Sequence, residues 1–301
     1  MWLLRPNIYF LRKFYYLCAL INIAVHTLKL NDQLYPIKRP WIMGIVNITP
    51  DSFYAPSRTP QPKDALKIIE RHIAEGANII DIGACSTRPG SQVVGEVEEW
   101  ERLQPVLELV RTLDSNIILS VDTFRSSVAC KAVEHYGVQI INDISGGDLD
   151  NLMFQTIANL GCAYVLTHTR STPREMLNHT QYAHLLSDVT VSLNQKLERL
   201  TQLGVKDVII DPGFGFAKTT QQNWQLLRQL SSFHLFSRPL LIGISRKTML
   251  QQPLSLDSNE TLNATSIAHT IALLHNADIV RTHNVKETEE VIKLLTAYHN
   301  P

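Results

Sequence analysis

Residues 117–144 read IILSVDTFRSSVACKAVEHYGVQIINDI. A short apolar run rich in β-branched residues (117–121) ends on Asp122, a helix-like stretch covers 126–136, and a second apolar run (139–141) ends on Asn142. Two strands joined through a helix form a parallel pair with a right-handed crossover. The same rhythm extends both ways: apolar runs at 42–46, 79–82, 163–166, 208–210, 240–244 and 278–280 bring the strands to eight. Helical stretches fall between and after them, at 63–75, 96–111, 152–160, 185–203, 223–230, 261–274 and 286–298. In the first of these, Ala65, Leu66, Ile68, Ile69 and Ile73 recur at three- and four-residue steps, as a helix covering a sheet requires. Continuous apolar strands suit a parallel sheet buried on both faces. Eight such units predict an α/β TIM (β/α)8 barrel, with a doubly wound open sheet as the alternative. Residues 27–30 and 33–37 around Asn31-Asp32 predict a short N-terminal hairpin across the barrel's bottom. The expected domains are an N-terminal extension, 1–26, and the barrel, 27–301.

Composition narrows the function classes. With 45% hydrophobic and 19% charged residues, the chain carries enough apolar surface for a large core and is not of disordered type. Lys plus Arg balance Asp plus Glu at 28 each, so no overall charge directs the protein to nucleic acid or a membrane surface. Cys18, Cys85, Cys130 and Cys162 lie far apart with no zinc-ligand spacing, which fits reduced thiols in a cytoplasmic protein. In residues 1–26, Arg5, Arg12 and Lys13 precede an apolar run over 14–25. That run is too short to span a bilayer and no small-x-small cleavage site follows it. An upstream extension, a peripheral anchor and a cleaved signal remain the three readings.

Barrel chemistry is built where strands end. The residues there are Asn47, Asp81, Asp122, Asn142, His168, Asp211, Ser245 with Lys247, and Arg281 with His283. Asp81 taken alone reads as a capping or barrel-mouth hydrogen-bonding group. Polar side chains delivered by nearly every strand to one rim read as an active site.

The fragments at these strand ends resemble, in order, the dihydropteroate synthases. They are Met43-Gly44-Ile45-Val46-Asn47-Ile48-Thr49-Pro50-Asp51-Ser52-Phe53, Asp81-Ile82-Gly83, Ser86-Thr87-Arg88-Pro89-Gly90, Ser120-Val121-Asp122-Thr123 and Ile141-Asn142-Asp143-Ile144. Asp211-Pro212-Gly213-Phe214-Gly215-Phe216, Ser245-Arg246-Lys247, and Arg281 with His283 complete the series. The resemblance implies a transferase of folate biosynthesis that displaces diphosphate from a dihydropterin methylene by the amine of p-aminobenzoate.

It also implies roles. Asp122, Asn142, Asp211 and Lys247 would answer the donors and acceptors of the pterin edge, with Asp122, Lys247 and Arg281 closest to the chemistry. Asn47, Arg281 and His283 would hold the diphosphate, Asn47 through Mg²⁺, the implied metal. Thr87, Arg88, Pro89, Phe214, Phe216 and Ser245 would form the p-aminobenzoate site, which makes the protein a sulfonamide target. A homodimer is implied, with small-molecule substrates and no nucleic acid. The Gly213–Lys218 stretch is not a phosphate-cradling Walker loop, because Ala217 stands where a glycine is needed.

The chain departs from the family's pattern in places. Ala84-Cys85 replaces a frequent Gly-Glu, Tyr54-Ala55-Pro56-Ser57 lacks a glycine pair, and His168-Thr169-Arg170 replaces His-Met-Gln. Thr282 and Asn284 stand in for apolar and acidic neighbours of His283. Two rivals share the pterin slot: a methyltransferase acting from methyltetrahydrofolate to a corrinoid, and a non-catalytic pterin-binding relative.

Overall fold

The inside of the protein is decided by counting in twos. In the computed structural model, which describes residues 25–49, 61–85, 94–113, 116–172 and 175–299, eight parallel strands surround a common axis. They are β3 (Trp41–Asn47), β4 (Ile79–Gly83), β5 (Ile118–Asp122), β6 (Ile140–Asp143), β7 (Ala163–Thr167), β8 (Val208–Asp211), β9 (Leu241–Ile242) and β10 (Ile279–Thr282). Sequence neighbours pair from β3 through β8, β10 pairs with both β3 and β9, and an Ile210–Leu240 bridge brings β8 to β9. The expected barrel is therefore present and the open sheet is excluded.

Side chains alternate between the two faces of a strand. Ile42, Val46, Ile80, Ile82, Val121, Ile141, Leu166 and Val280 face outward and pack in one apolar cluster with the helices. The helices are α1 (Pro62–Ala74), α2 (Glu96–Val110), α3 (Ser126–Tyr136), α4 (Met153–Leu160), α5 (Leu185–Gln202), α6 (Thr220–Arg228), the one-turn α7 (Thr248–Gln251), α8 (Leu262–Leu274) and α9 (Val285–His299). The opposite parity, Met43, Ile79, Ile118, Ile140, Val165, Ile209, Leu241 and Ile279, fills the barrel interior in a second cluster.

The N-terminal hairpin, β1 (Thr27–Leu30) with β2 (Gln33–Pro36), turns at Asn31 and Asp32, both with positive φ, as expected. Leu28 and Leu30 join the interior cluster, so the hairpin plugs the barrel's lower end. Ile37, expected in the second strand, lies one residue past it but stays buried in the same cluster. The reading of residues 1–26 falls almost wholly outside the described residues. Cys85, Cys130 and Cys162 are free thiols. No helix among the described residues is long and apolar enough to cross a membrane.

Candidate active site

Counting onward by two from the apolar interior reaches the site. Ile79 leads to Asp81, Ile118 to Ser120 and Asp122, Ile140 to Asn142, Ile209 to Asp211, and Ile279 to Arg281. Met43 leads through Ile45 to Asn47. Strand parity alone thus places a layer of polar groups directly above an apolar barrel floor.

Asp81 is the hub of that layer. It is fully buried and accepts from Ser120 Oγ (2.6 Å), Asn142 Nδ2 (2.9 Å) and Arg281 Nε (2.7 Å). Arg281 also donates through Nη2 to Asp122 Oδ2 at 2.8 Å. One guanidinium therefore bridges two carboxylates, and 18% of its side chain remains accessible. Burial raises the Asp122 carboxyl to about 7 despite Arg281, and the neighbouring Asp81 adds to the rise. Burial acts to lower the Arg281 guanidinium, but Asp81 and Asp122 outweigh it and raise it instead. Asp122 does not cap α3, since the Ser126 amide donates to Asp150 Oδ2 at 2.7 Å.

The β8 side is held by a tightly wound loop. Gly213, Gly215 and Ala217 all have positive φ. A Cβ at Gly213 would lie 1.9 Å from the His168 carbonyl oxygen, and one at Gly215 would lie 2.9 Å from Lys247 Cδ. These glycines let the loop approach β7 and let Lys247 reach over it. Asp211 accepts from the Gly213 amide at 2.8 Å, and burial raises its carboxyl while Lys247 opposes the rise. Lys247 donates to the Phe214 carbonyl and lies 4.5 Å from the Phe216 ring centroid. Burial lowers its ammonium to about 8, with Asp211 working against the fall.

Phe214 needs a correction. Its ring is fully buried in the outer core, so it offers no surface to an arene; only its carbonyl serves the rim, as the acceptor for Lys247. Phe216 belongs to a different cluster. It is half-buried beside Cys85, Phe124 and Ile144, three residues that sequence reasoning did not bring to this apolar wall. Ser245 Oγ lies 3.1 Å from His283 Nδ1 and accepts from the His283 amide at 3.3 Å, joining the ends of β9 and β10. Thr87, Arg88 and Pro89 lie outside the described residues, as does the altered stretch 54–57.

Sequence reasoning missed Lys218. Its buried Nζ donates to the carbonyls of Gly213 (2.9 Å) and Phe216 (3.0 Å) and meets His168 Nδ1 at 2.9 Å. It clips the loop carrying Phe216 to the end of β7. The signal was a lysine at the end of a glycine-rich turn, read only as a failed phosphate loop. Burial lowers its ammonium from 10.5 to about 7, against the pull of Asp211. Between those two values the unfolded chain keeps a proton that the folded site has lost, so this group's contribution to stability rises with pH. Lys218→Met should destabilise the fold by roughly 2–4 kcal/mol through the lost hydrogen bonds. Its deficit against wild type should widen from pH 7 to pH 9 in urea titrations; a deficit independent of pH would contradict the assignment.

Three carboxylates (Asp81, Asp122, Asp211) and two basic groups (Arg281, Lys247) meet in one buried mouth, with Lys218 bracing the loop beside it. Such a site can grip a flat, uncharged ring with alternating donors and acceptors and can stabilise positive charge developing on it.

Comparison with known proteins agrees with this geometry. The pterin binding enzyme family matches residues 43–283, from the third strand to the last residue of the site. Dihydropteroate synthase of Escherichia coli is 35% identical over 263 residues, covering 87% of this chain and 92% of that protein. The Synechocystis enzyme of the same name is 36% identical over 266 residues, 86% of this chain and 90% of that one. Among solved structures, the Yersinia pestis dihydropteroate synthase in a sulfonamide drug complex superposes with a TM-score of 0.85 at 34% identity, covering 91% of this chain and all of that one. The Xanthomonas albilineans synthase with 4-aminobenzoic acid gives a TM-score of 0.84 at 30% identity, over 92% of this chain and 99% of the other. Fold, strand-end residues and relatives converge: the chain belongs to the pterin binding enzymes and, among them, to the dihydropteroate synthases.

Proposed function

We propose that the polar mouth binds 6-hydroxymethyl-7,8-dihydropterin diphosphate by its pterin and joins it to p-aminobenzoate, giving 7,8-dihydropteroate and diphosphate. The observation that carries this reading is the interlocked layer around Asp81, Asp122, Asn142, Asp211, Lys247 and Arg281, lying on an apolar floor. The methylene carbon–oxygen bond breaks with its electron pair leaving on diphosphate, the amine nitrogen bonds that carbon, and the nitrogen loses a proton. Asp122 and Asp211 face the pterin as its ring system becomes cationic and lower the barrier electrostatically. A buried slot that left any ring donor or acceptor unanswered would lose about 1–3 kcal/mol for each. Phe216 and Ser245 stand on the side where p-aminobenzoate approaches, and His283, tied to Ser245, on the diphosphate side.

Mg²⁺ is part of this proposal. No group of three or more His, Cys, Asp or Glu among the described residues could cage a metal, so the ion would be carried mainly by the substrate's phosphates. Asn47 fits as its one protein ligand. It ends β3 on the inward parity, beside Gly83, and its amide oxygen is a neutral ligand suited to a metal held mainly by phosphates. Bound there, the metal would neutralise charge on the departing diphosphate. Asn47→Ala should weaken binding of the pterin diphosphate about tenfold or more and leave binding of 6-hydroxymethylpterin within about twofold. Calorimetry with both ligands and Mg²⁺ decides it; equal losses for the two would remove Asn47 from the metal.

Two further features belong to the same proposal. A homodimer is supported by exposed apolar side chains on the last two helices, Ile267 and Leu274 on α8 and Leu294 and Tyr298 on α9. Action in the cytoplasm is supported by the free thiols. The experiment that tests the activity is diphosphate release coupled to a chromogenic readout, requiring both substrates together. A folded protein that releases none, or that turns over methyltetrahydrofolate instead, would overturn the reading.

A further inference from the structure

The inward face of β7 runs Ala163, Val165, Thr167. Thr167 pairs in register with Asp211 on one side, and β6 brings Asn142 and Asp143 against Val165 and Leu166 on the other. It therefore stands in the polar layer between Asn142 and Asp211. Its side chain is buried, and its Oγ1 has no hydrogen-bond partner among the described residues.

Several buried side-chain polar atoms among the described residues lack a partner, but Thr167 is the only threonine that carries one. Every other buried threonine is satisfied: Thr123, Thr169, Thr261, Thr265, Thr282 and Thr288 all have partners, and so does Thr49. The neighbours in the layer are satisfied too, Ser120 and Asn142 through Asp81 and Asp211 through the Gly213 amide. The Gly146 turn packs closely on this strand end, since a Cβ on Gly146 would lie 2.4 Å from the Thr167 carbonyl oxygen. Valine would fill the same volume without the unmet hydroxyl, so a fold concerned only with packing gains nothing from threonine.

We propose that Thr167 is a specificity-determining contact of the pterin slot, its hydroxyl completing the row between Asn142 and Asp211 by bonding the polar edge of the bound ring. The proposal rests on the pterin reading of the mouth. A hydroxyl both donates and accepts, so it can answer a ring nitrogen, a carbonyl or an exocyclic amine. It touches only the pterin and has no part in the arene or diphosphate sites.

The test uses the full chain with Thr167→Val and Thr167→Ser, and 6-hydroxymethylpterin as the calorimetric probe. Thr167→Val is expected to weaken that binding about five- to thirtyfold, the range of a lost hydrogen bond within a closed site. Thr167→Ser, which keeps the hydroxyl, should stay within about threefold of wild type. The KM for p-aminobenzoate should not move in either. The ligand-free Tm of Thr167→Val should equal or exceed that of wild type, since a buried unmet hydroxyl is gone. Weakened ligand binding in an equally stable protein separates a contact residue from a packing one. Wild-type affinity in Thr167→Val would overturn the proposal, as would equal weakening in the serine variant, which would place the effect in the methyl group. A folded wild type that binds no pterin would instead overturn the reading of the mouth itself, and Thr167 with it.

Discussion

Arg281→Met is expected to lower stability by about 3–5 kcal/mol at pH 8 and to abolish measurable pterin binding. The size follows from what the guanidinium holds. Asp81 is fully buried and Asp122 nearly so, and Arg281 donates to both, at 2.7 and 2.8 Å. Methionine fills much of the volume but leaves two carboxylates facing each other without a cation. The Asp122 carboxyl, already raised by burial to about 7, must rise further once its opposing cation is removed. A carboxyl raised in the folded state favours folding while protonated and loses that contribution as pH climbs through the folded value. The variant should therefore sit closest to wild type near pH 5 and fall away progressively towards pH 8. Urea titrations at both ends check this. A constant deficit across the range would mean that packing, not the bridged carboxylates, accounts for the loss. Arg281→Lys should recover only part, because one ammonium cannot span two carboxylates as a planar fork does.

The same residue shows what the sequence could and could not convey. Apolar runs separated by helical periodicity predict the barrel, and all eight strands lie within a few residues of their expected bounds. That is legible because strand burial on both faces leaves a local signature, while β9, only Leu241–Ile242, is shorter than its apolar run suggests. The site residues at strand ends were legible for a related reason: parity carries the eye from Ile79 to Asp81 and from Ile279 to Arg281. What parity does not reveal is who holds whom. Residues 81 and 281 are 200 positions apart, and only barrel closure through β3 and β10 brings them together. The direction taken by a ring in an irregular loop is likewise invisible in sequence, so Phe214 and Phe216 read alike yet pack in different clusters. Thr167 escaped notice because nothing marks a threonine at a strand end as unsatisfied. Its distinction is an absence of partners that only the folded chain defines.

Lys247→Met is expected to reduce kcat/KM by roughly two to three orders of magnitude, the loss of a charge-assisted contact in a closed site. Lys247 lies over the Gly215 turn, where a Cβ would come within 2.9 Å of its Cδ. Its Nζ is fixed by the Phe214 carbonyl and stands above the Phe216 ring. It faces Asp211, whose carboxyl burial raises and Lys247 restrains. On the proposed function, removing the lysine withdraws a donor from the pterin and raises the Asp211 carboxyl further, weakening the acceptor for the ring's N–H groups. The pH profile distinguishes this from a general loss of structure. In wild type, kcat/KM should rise as Asp122 ionises through about 7 and fall as Lys247 loses its proton through about 8. Without Lys247 the descending limb has no group to produce it, so residual activity should stay level above pH 8. The ascending limb should move to higher pH, because Asp122 has lost the nearby Lys247 cation. A variant that keeps a wild-type profile at reduced height would show that Lys247 only supports the loop. Lys247→Arg should not restore activity, because its planar, more extended head must follow the same narrow path over Gly215 and cannot present a single point charge to Asp211 and the ring together.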